Sequence, residues 1–275
     1  MLALFAGTGA LPGLLVEALR KKGELPIVCF MAGFEPQVPS ELEQICFRLE
    51  HLGTLLTELR RRGVKEVCLA GKVLRPKIDP AEIDQATAPL FARIGAAMKM
   101  GDDGTLRALI SIFEEFGFEV VAAHEIAPDL LPRSGVLAGP SPSFAQKEDA
   151  KSGKAHLDDL APADIGQTCV VRGGKVLAME ASLGTDFMLK SLSNPPKAQG
   201  AVFCKAPKIG QDRRADLPAI GPETVIEASR AGITGIWIEE GGVMCLDVDH
   251  LKSEANRLGV SVWVGEFDAD LYHRG

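Results

Sequence analysis

The run from Lys205 to Pro222 holds the residues of this chain best suited to chemistry. Lys205, Lys208, Arg213 and Arg214 stand with Asp212 and Asp216 in a loop stiffened by Pro207, Pro218 and Pro222. Clustered cations suit phosphoryl oxygens, and a carboxylate among them can hold a metal ion or a water. Each proline fixes its φ and removes a donor, so the side chains between them sit in a restricted geometry. Pro222 suits the first position of a helix, and a helix N-terminus beside Lys and Arg attracts anions. The same composition also fits a solvated, charged turn between a strand and a helix.

Three glycine loops offer a second kind of site. Gly7-Thr8-Gly9-Ala10-Leu11-Pro12 follows an apolar run and opens a helical pattern. Backbone N–H groups at Gly9, Ala10 and Leu11 suit a phosphate or sugar oxygen. A dinucleotide fingerprint needs glycine where Pro12 stands, and Met31 ends the second strand without an acid for a ribose. The nicotinamide reading is therefore disfavoured, and the sequence has no P-loop. Gly71-Lys72-Val73-Leu74-Arg75-Pro76 and Gly101-Asp102-Asp103-Gly104 follow later elements. Lys72 and Arg75 suit an anion, while Asp102 or Asp103 serves either a ligand or a helix cap. Glu180-Ala181-Ser182-Leu183-Gly184-Thr185-Asp186 reads as a turn and cap, with Thr185 and Asp186 as candidate contacts. The histidines show no metal-ligand spacing, and His124 reads as structural.

The elements that must position these residues are legible as periodicity. Apolar runs at Leu2–Ala6, 26–31, Glu66–Ala70 and 118–123 alternate with helical patterns stopped by Gly23, Gly63 and Gly117. That is the texture of β-α-β units and a parallel sheet. Helices are expected over 81–98 and 103–116. Prolines 128, 132, 140 and 142 mark a boundary. Beyond it come a hairpin on Gly173-Gly174, a strand ending at Lys205, a helix over 223–231 and a helix capped by Asp249. The expected class is α/β: an N-terminal Rossmann-like parallel α/β domain over 1–132, a linker over 133–143, and a second α/β (α+β) domain over 144–275.

Composition narrows the function classes. The 275 residues carry a net charge of −7 with 46% hydrophobic residues, and 5% are aromatic. No basic run or stacking platform is present, which argues against nucleic acid. The cysteines form no C-x-x-C pair and several sit in apolar runs, as thiols do in a reducing compartment. No apolar run reaches a membrane span, so the expected place is the cytoplasm.

Taken in order, the blocks resemble the UDP-2,3-diacylglucosamine pyrophosphatases of the LpxI type. They are Gly7-x-Gly9-x-Leu11-Pro12, Ala70-Gly71-Lys72-Val73-x-Arg75-Pro76, Gly101-Asp102-Asp103, Ala123-His124-Glu125, Asp164-Ile165-Gly166-Gln167, Glu180-x-x-x-Gly184-Thr185-Asp186, Lys205-Ala206-Pro207-Lys208 and Asp216-Leu217-Pro218-x-Ile220-Gly221. Thr8 departs from the family's usual run of glycines. The resemblance implies Mg²⁺-dependent hydrolysis of UDP-2,3-diacylglucosamine to UMP and 2,3-diacylglucosamine 1-phosphate (lipid X), in lipid A synthesis. It places the essential aspartate at Asp216, as catalytic group or metal ligand. It further implies transient contact with the inner leaflet and a homodimer. The rival readings are a nucleotide-sugar transferase or reductase and a non-enzymatic lipid- or nucleotide-binding protein.

Overall fold

The structure, a computed structural model, describes residues 1–73, 78–97, 102–161, 166–215 and 217–266, with Asp102 and Asp103 described by backbone alone. The chain divides into two compact units, Met1–Pro128 with Asp212–Asp216, and Asp129–Gln211 with Leu217–Gly275.

The first unit contains β1 (Leu2–Ala6), α1 (Leu11–Lys21), β2 (Ile27–Met31), β3 (Gln44–Phe47), α2 (Leu52–Arg61), β4 (Glu66–Ala70), α3 (Ala88–Ala97), α4 (Asp102–Glu115), β5 (Glu119–Val120) and α5 (Ala123–Ile126). Its strands form one parallel sheet in the order β3-β2-β1-β4-β5. Every residue of β1 is buried, as expected of a parallel strand covered on both faces. In α1 the buried residues Pro12, Leu15, Val16 and Leu19 recur at helical spacing, and Arg20 and Lys21 face the negative end of the dipole. Phe5, Leu56, Ile94 and Phe113 lie in the apolar core of this unit.

The second unit contains β6 (Gly135–Ala138), α6 (Phe144–Leu160), β7 (Thr168–Arg172), β8 (Lys175–Met179), α7 (Gly184–Ser191), β9 (Val202–Lys205), β10 (Ala219–Ile220), α8 (Pro222–Arg230), β11 (Gly235–Glu239), β12 (Met244–Cys245), α9 (Val248–Leu258) and β13 (Ser261–Gly265). The large sheet runs β6-β13-β11-β9-β7-β8, parallel through β13, β11 and β9 and antiparallel at both margins. Residues of α7, α8 and α9 pack on one apolar cluster, and residues of α6 on another that includes Trp237 and Trp263. The α/β class expected from the sequence is what the structure has.

Several element limits differ from expectation, each for a local reason. The helix expected over 81–98 starts at Ala88, because the chain before it docks on α2. A Cβ on Gly53 would lie 2.4 Å from the Ala86 carbonyl carbon. The Gly53 N–H donates to Thr87 Oγ1 at 2.8 Å. The strand expected over 118–123 has only two residues before the chain turns into α5, where Glu125 accepts from the Ala122 N–H at 2.7 Å. Asp249 lies inside the first turn of α9, and the N-cap is Asp247, at φ 48°. The segment expected as a linker contains β6, paired with β13.

Candidate active site

In the first unit the strand order reverses at β1, between β2 on one side and β4 on the other. Loops at the carboxyl ends of such neighbours are where open parallel sheets bind ligands. The loops after β1 and β4 are laced together there. The Gly7 N–H donates to Ala70 O at 2.8 Å, the Thr8 N–H to Lys72 O at 3.0 Å, and the Lys72 N–H to Thr8 O at 2.8 Å. The Thr8 hydroxyl adds a bond to Lys72 O at 3.1 Å, so the residue that departs from the family's glycines fastens the two loops. A Cβ on Gly7 would lie 2.5 Å from Lys72 O. Gly71 has φ +88° with Thr8 O 2.8 Å from its Cβ position, so neither site accepts a side chain. Thr8, Gly9, Ala10 and Lys72 are exposed. No side chain caps α1. Gly9, Ala10, Leu11 and Lys72, singled out in the sequence, are thus brought to one edge. Arg75 and Gly101 lie outside the described residues, and Asp102 and Asp103 open α4.

The segment Asp212–Asp216 is part of this first unit. Arg214 forks onto Asp212, with Nε at 3.0 Å from Oδ1 and Nη2 at 2.8 Å from Oδ2, and its Nη1 reaches Glu114 at 2.7 Å. Hydrogen bonds from Arg214 hold the Asp212 carboxyl below its ordinary pKa, and the nearby Arg107 adds to this. Ala215 packs against the apolar core. Burial and the charge of Arg213 lower the His124 pKa against the pull of Glu125, and His124 Nδ1 is buried with no hydrogen bond. Asp216 itself lies outside the described residues.

In the second unit Lys205 ends β9, 6% exposed. Its Nζ donates to Thr185 Oγ1 at 2.8 Å, and that hydroxyl donates to Glu180 Oε1 at 2.8 Å. The Gln167 N–H donates to Glu180 Oε2 at 3.1 Å. Burial pushes the Glu180 carboxyl up, but the Lys205 charge and hydrogen bonds from Thr168, Thr185 and Gln167 outweigh it, and its pKa is lowered. Gln211 Oε1 accepts from Gln167 Nε2 at 2.6 Å and from the Lys208 N–H at 3.1 Å, which ties the following loop to the sheet. Asp186 is exposed in the first turn of α7. Lys205 and Thr185 are therefore joined, with Lys208 held on the adjoining loop. Glu180 and Gln167 lie in motifs quoted from the sequence, yet nothing in the sequence pairs them with Lys205. Thr168 carried no signal at all.

Among the described residues, no group of three or more His, Cys, Asp and Glu is placed to hold a metal, and no helix is long and apolar enough to cross a membrane.

The LpxI N-terminal domain profile matches residues 1–130, and the LpxI C-terminal domain profile matches residues 133–263. The UDP-2,3-diacylglucosamine pyrophosphatase LpxI of Caulobacter vibrioides is 33% identical over 268 residues, spanning 95% of this chain and 96% of that protein. A solved structure, CobK precorrin-6A reductase, covers 98% of this chain and 88% of its own at 15% identity and a TM-score of 0.32, a level that carries no weight for fold or function. Both domain profiles and a relative matched almost end to end place the chain in the LpxI family.

Proposed function

We propose that the protein hydrolyses the pyrophosphate of UDP-2,3-diacylglucosamine, giving UMP and 2,3-diacylglucosamine 1-phosphate in lipid A synthesis. The observation that carries this reading is the match to the Caulobacter pyrophosphatase along nearly the whole of both chains. The oxygen of a water bonds to one phosphorus, the bridging P–O bond breaks, and the released proton goes to solvent. Such a reaction needs charge neutralisation on phosphoryl oxygens and a positioned nucleophile. In the first unit, the exposed N-terminus of α1 and Lys72 offer N–H donors and a cation to phosphoryl or sugar oxygens. Lys205 and Lys208, also singled out in the sequence, are cations of the second unit. Asp216 supplies the carboxylate that orients the water or metal.

Mg²⁺ belongs to the same proposal. It binds through one or two carboxylates together with waters and substrate phosphates, so it needs no all-protein cage. Asp212 is engaged by Arg214, and Glu180 by Thr185 and Gln167. Asp216, the aspartate that the family resemblance marks out, is the carboxylate that would hold the ion, which would neutralise phosphoryl oxygens when bound. With two acyl chains on its substrate, the enzyme works as a peripheral visitor to the inner leaflet.

Asp216→Asn tests the assignment, because it keeps the shape and removes the charge. Turnover of UDP-2,3-diacylglucosamine falls at least ~10²-fold, while substrate affinity and melting temperature are largely kept. Near-normal turnover with a lowered melting temperature would assign Asp216 to the scaffold. EDTA abolishes wild-type turnover, and Mg²⁺ restores it.

A further inference from the structure

Of the residues that join the loops after β1 and β4, Thr8 holds the position that accepts a side chain. Gly7 is closed to one, because a Cβ there would lie 2.5 Å from Lys72 O. Gly9 and Gly71 have φ +100° and +88°, where a side chain is strained. Thr8 stands between Gly7 and Gly9 without a left-handed backbone and pairs with Lys72 as an antiparallel bridge. A β-branched residue suits that extended conformation and has less freedom to lose than glycine. This chain thus places threonine at the member of the family's glycine run that a side chain can occupy.

The threonine adds a bond that glycine cannot make. Lys72 O accepts the Thr8 N–H at 3.0 Å and the Thr8 hydroxyl at 3.1 Å, so both lone pairs of that carbonyl are taken. The Lys72 N–H returns to Thr8 O at 2.8 Å. The backbone of Lys72 is therefore held by three bonds to a single residue. Its ammonium, in contrast, makes no hydrogen bond or ion pair among the described residues, and the residue is exposed. The Thr8 proton is committed to Lys72 O, and phosphoryl oxygens are acceptors, so the hydroxyl has nothing to donate to them.

We propose that Thr8 is a positioning residue that acts through the Lys72 carbonyl, holding the loop after β4 so that the Lys72 ammonium meets the pyrophosphate. Thr8 does not itself touch the phosphoryl groups. The inference rests on the pyrophosphatase reading above. A loop fixed before binding gives up less conformational freedom when the anion arrives, so the gain falls on affinity for the substrate. Glycine here would keep the two backbone bonds and lose the third, together with the stiffness of a β-branched residue.

The test is steady-state kinetics on UDP-2,3-diacylglucosamine, with melting temperatures for every variant. Thr8→Val keeps the shape and removes the hydroxyl. KM rises about three- to tenfold, the worth of one hydrogen bond, while kcat stays within about twofold of wild type. Thr8→Ser keeps the hydroxyl and stays within about twofold in both constants. Thr8→Gly also frees the backbone, so it raises KM at least as much as Thr8→Val and reports independently of valine's fit. Lys72→Met raises KM about tenfold, and Thr8→Val adds no further rise in that background, because the cation it positions is gone. Wild-type KM in Thr8→Val and Thr8→Gly, with only the melting temperature lowered, overturns the inference. So does an undiminished rise in the Lys72→Met background, which would put the hydroxyl on the substrate itself. Both results leave the pyrophosphatase reading intact. A wild-type enzyme that leaves the substrate uncleaved overturns that reading and the inference with it.

Discussion

Glu180 has two opposed influences on its charge, and the balance decides how the protein responds to acid. Burial raises its pKa, while Lys205, Thr168, Thr185 and the Gln167 N–H together bring it below the ordinary value of 4.5. A carboxyl with a depressed folded pKa stabilises the fold above its unfolded pKa, and that contribution is lost as pH falls through the folded value. The wild type therefore loses melting temperature below about pH 4.5 more steeply than Glu180→Gln. Parallel acid profiles for the two proteins would show that the carboxyl carries no such linkage. At this scale the sequence revealed the kinds of residue but not their pairing. Gly7, Gly71 and Lys72 were legible because a glycine loop after a strand has few other uses. The bridge from Lys205 through Thr185 to Glu180 was not, since the ammonium and the carboxylate lie far apart in the chain and meet only through strand register. Of the cations near Asp216 in the sequence, Arg214 proved to be engaged by Asp212 and Glu114.

Among the elements, α6 shows packing overriding intrinsic preference. Gly153 lies mid-helix, where alanine is favoured by about 1 kcal/mol on propensity alone. A Cβ there would come 2.4 Å from Cys204 Sγ and 2.9 Å from its Cβ, both on β9. Gly153→Ala is therefore destabilising, by about 1–3 kcal/mol, the usual cost of overpacking. Cys204→Ala in the same chain recovers part of it by removing the sulfur. A Gly153→Ala variant that melts higher than wild type would contradict this packing. The long, strongly periodic elements, α1, α2, α8 and the β7–β8 hairpin, were readable from period and glycine placement. Both hairpin glycines have positive φ, 57° and 71°, as a two-residue turn of this kind requires. The short margins were not readable. β3 has four residues flanked by charge, β5 has two, and β6 lies between prolines that mask its pairing with β13. Their strand character comes from the neighbour they pair with, not from local pattern.

At the scale of the whole chain, the two LpxI domain profiles follow one another from residue 1 to residue 263. The chain passes from the first unit to the second at Pro128, returns at Asp212, and leaves again after Asp216. Arg213 and Arg214 thus belong to a short segment of the C-terminal sequence that is grouped with the N-terminal unit. The charge and prolines of this run mark it as a loop, but they do not say which unit it joins, so the sequence did not disclose the grouping. The central claim is the chemistry, and it is tested by incubating the purified protein with UDP-2,3-diacylglucosamine and Mg²⁺ in ¹⁸O-water and weighing both products. The account predicts UMP and 2,3-diacylglucosamine 1-phosphate in equal amounts, with a single ¹⁸O shared out to one of the two phosphates. Intact substrate, or cleavage that leaves both phosphates on one product, would contradict it.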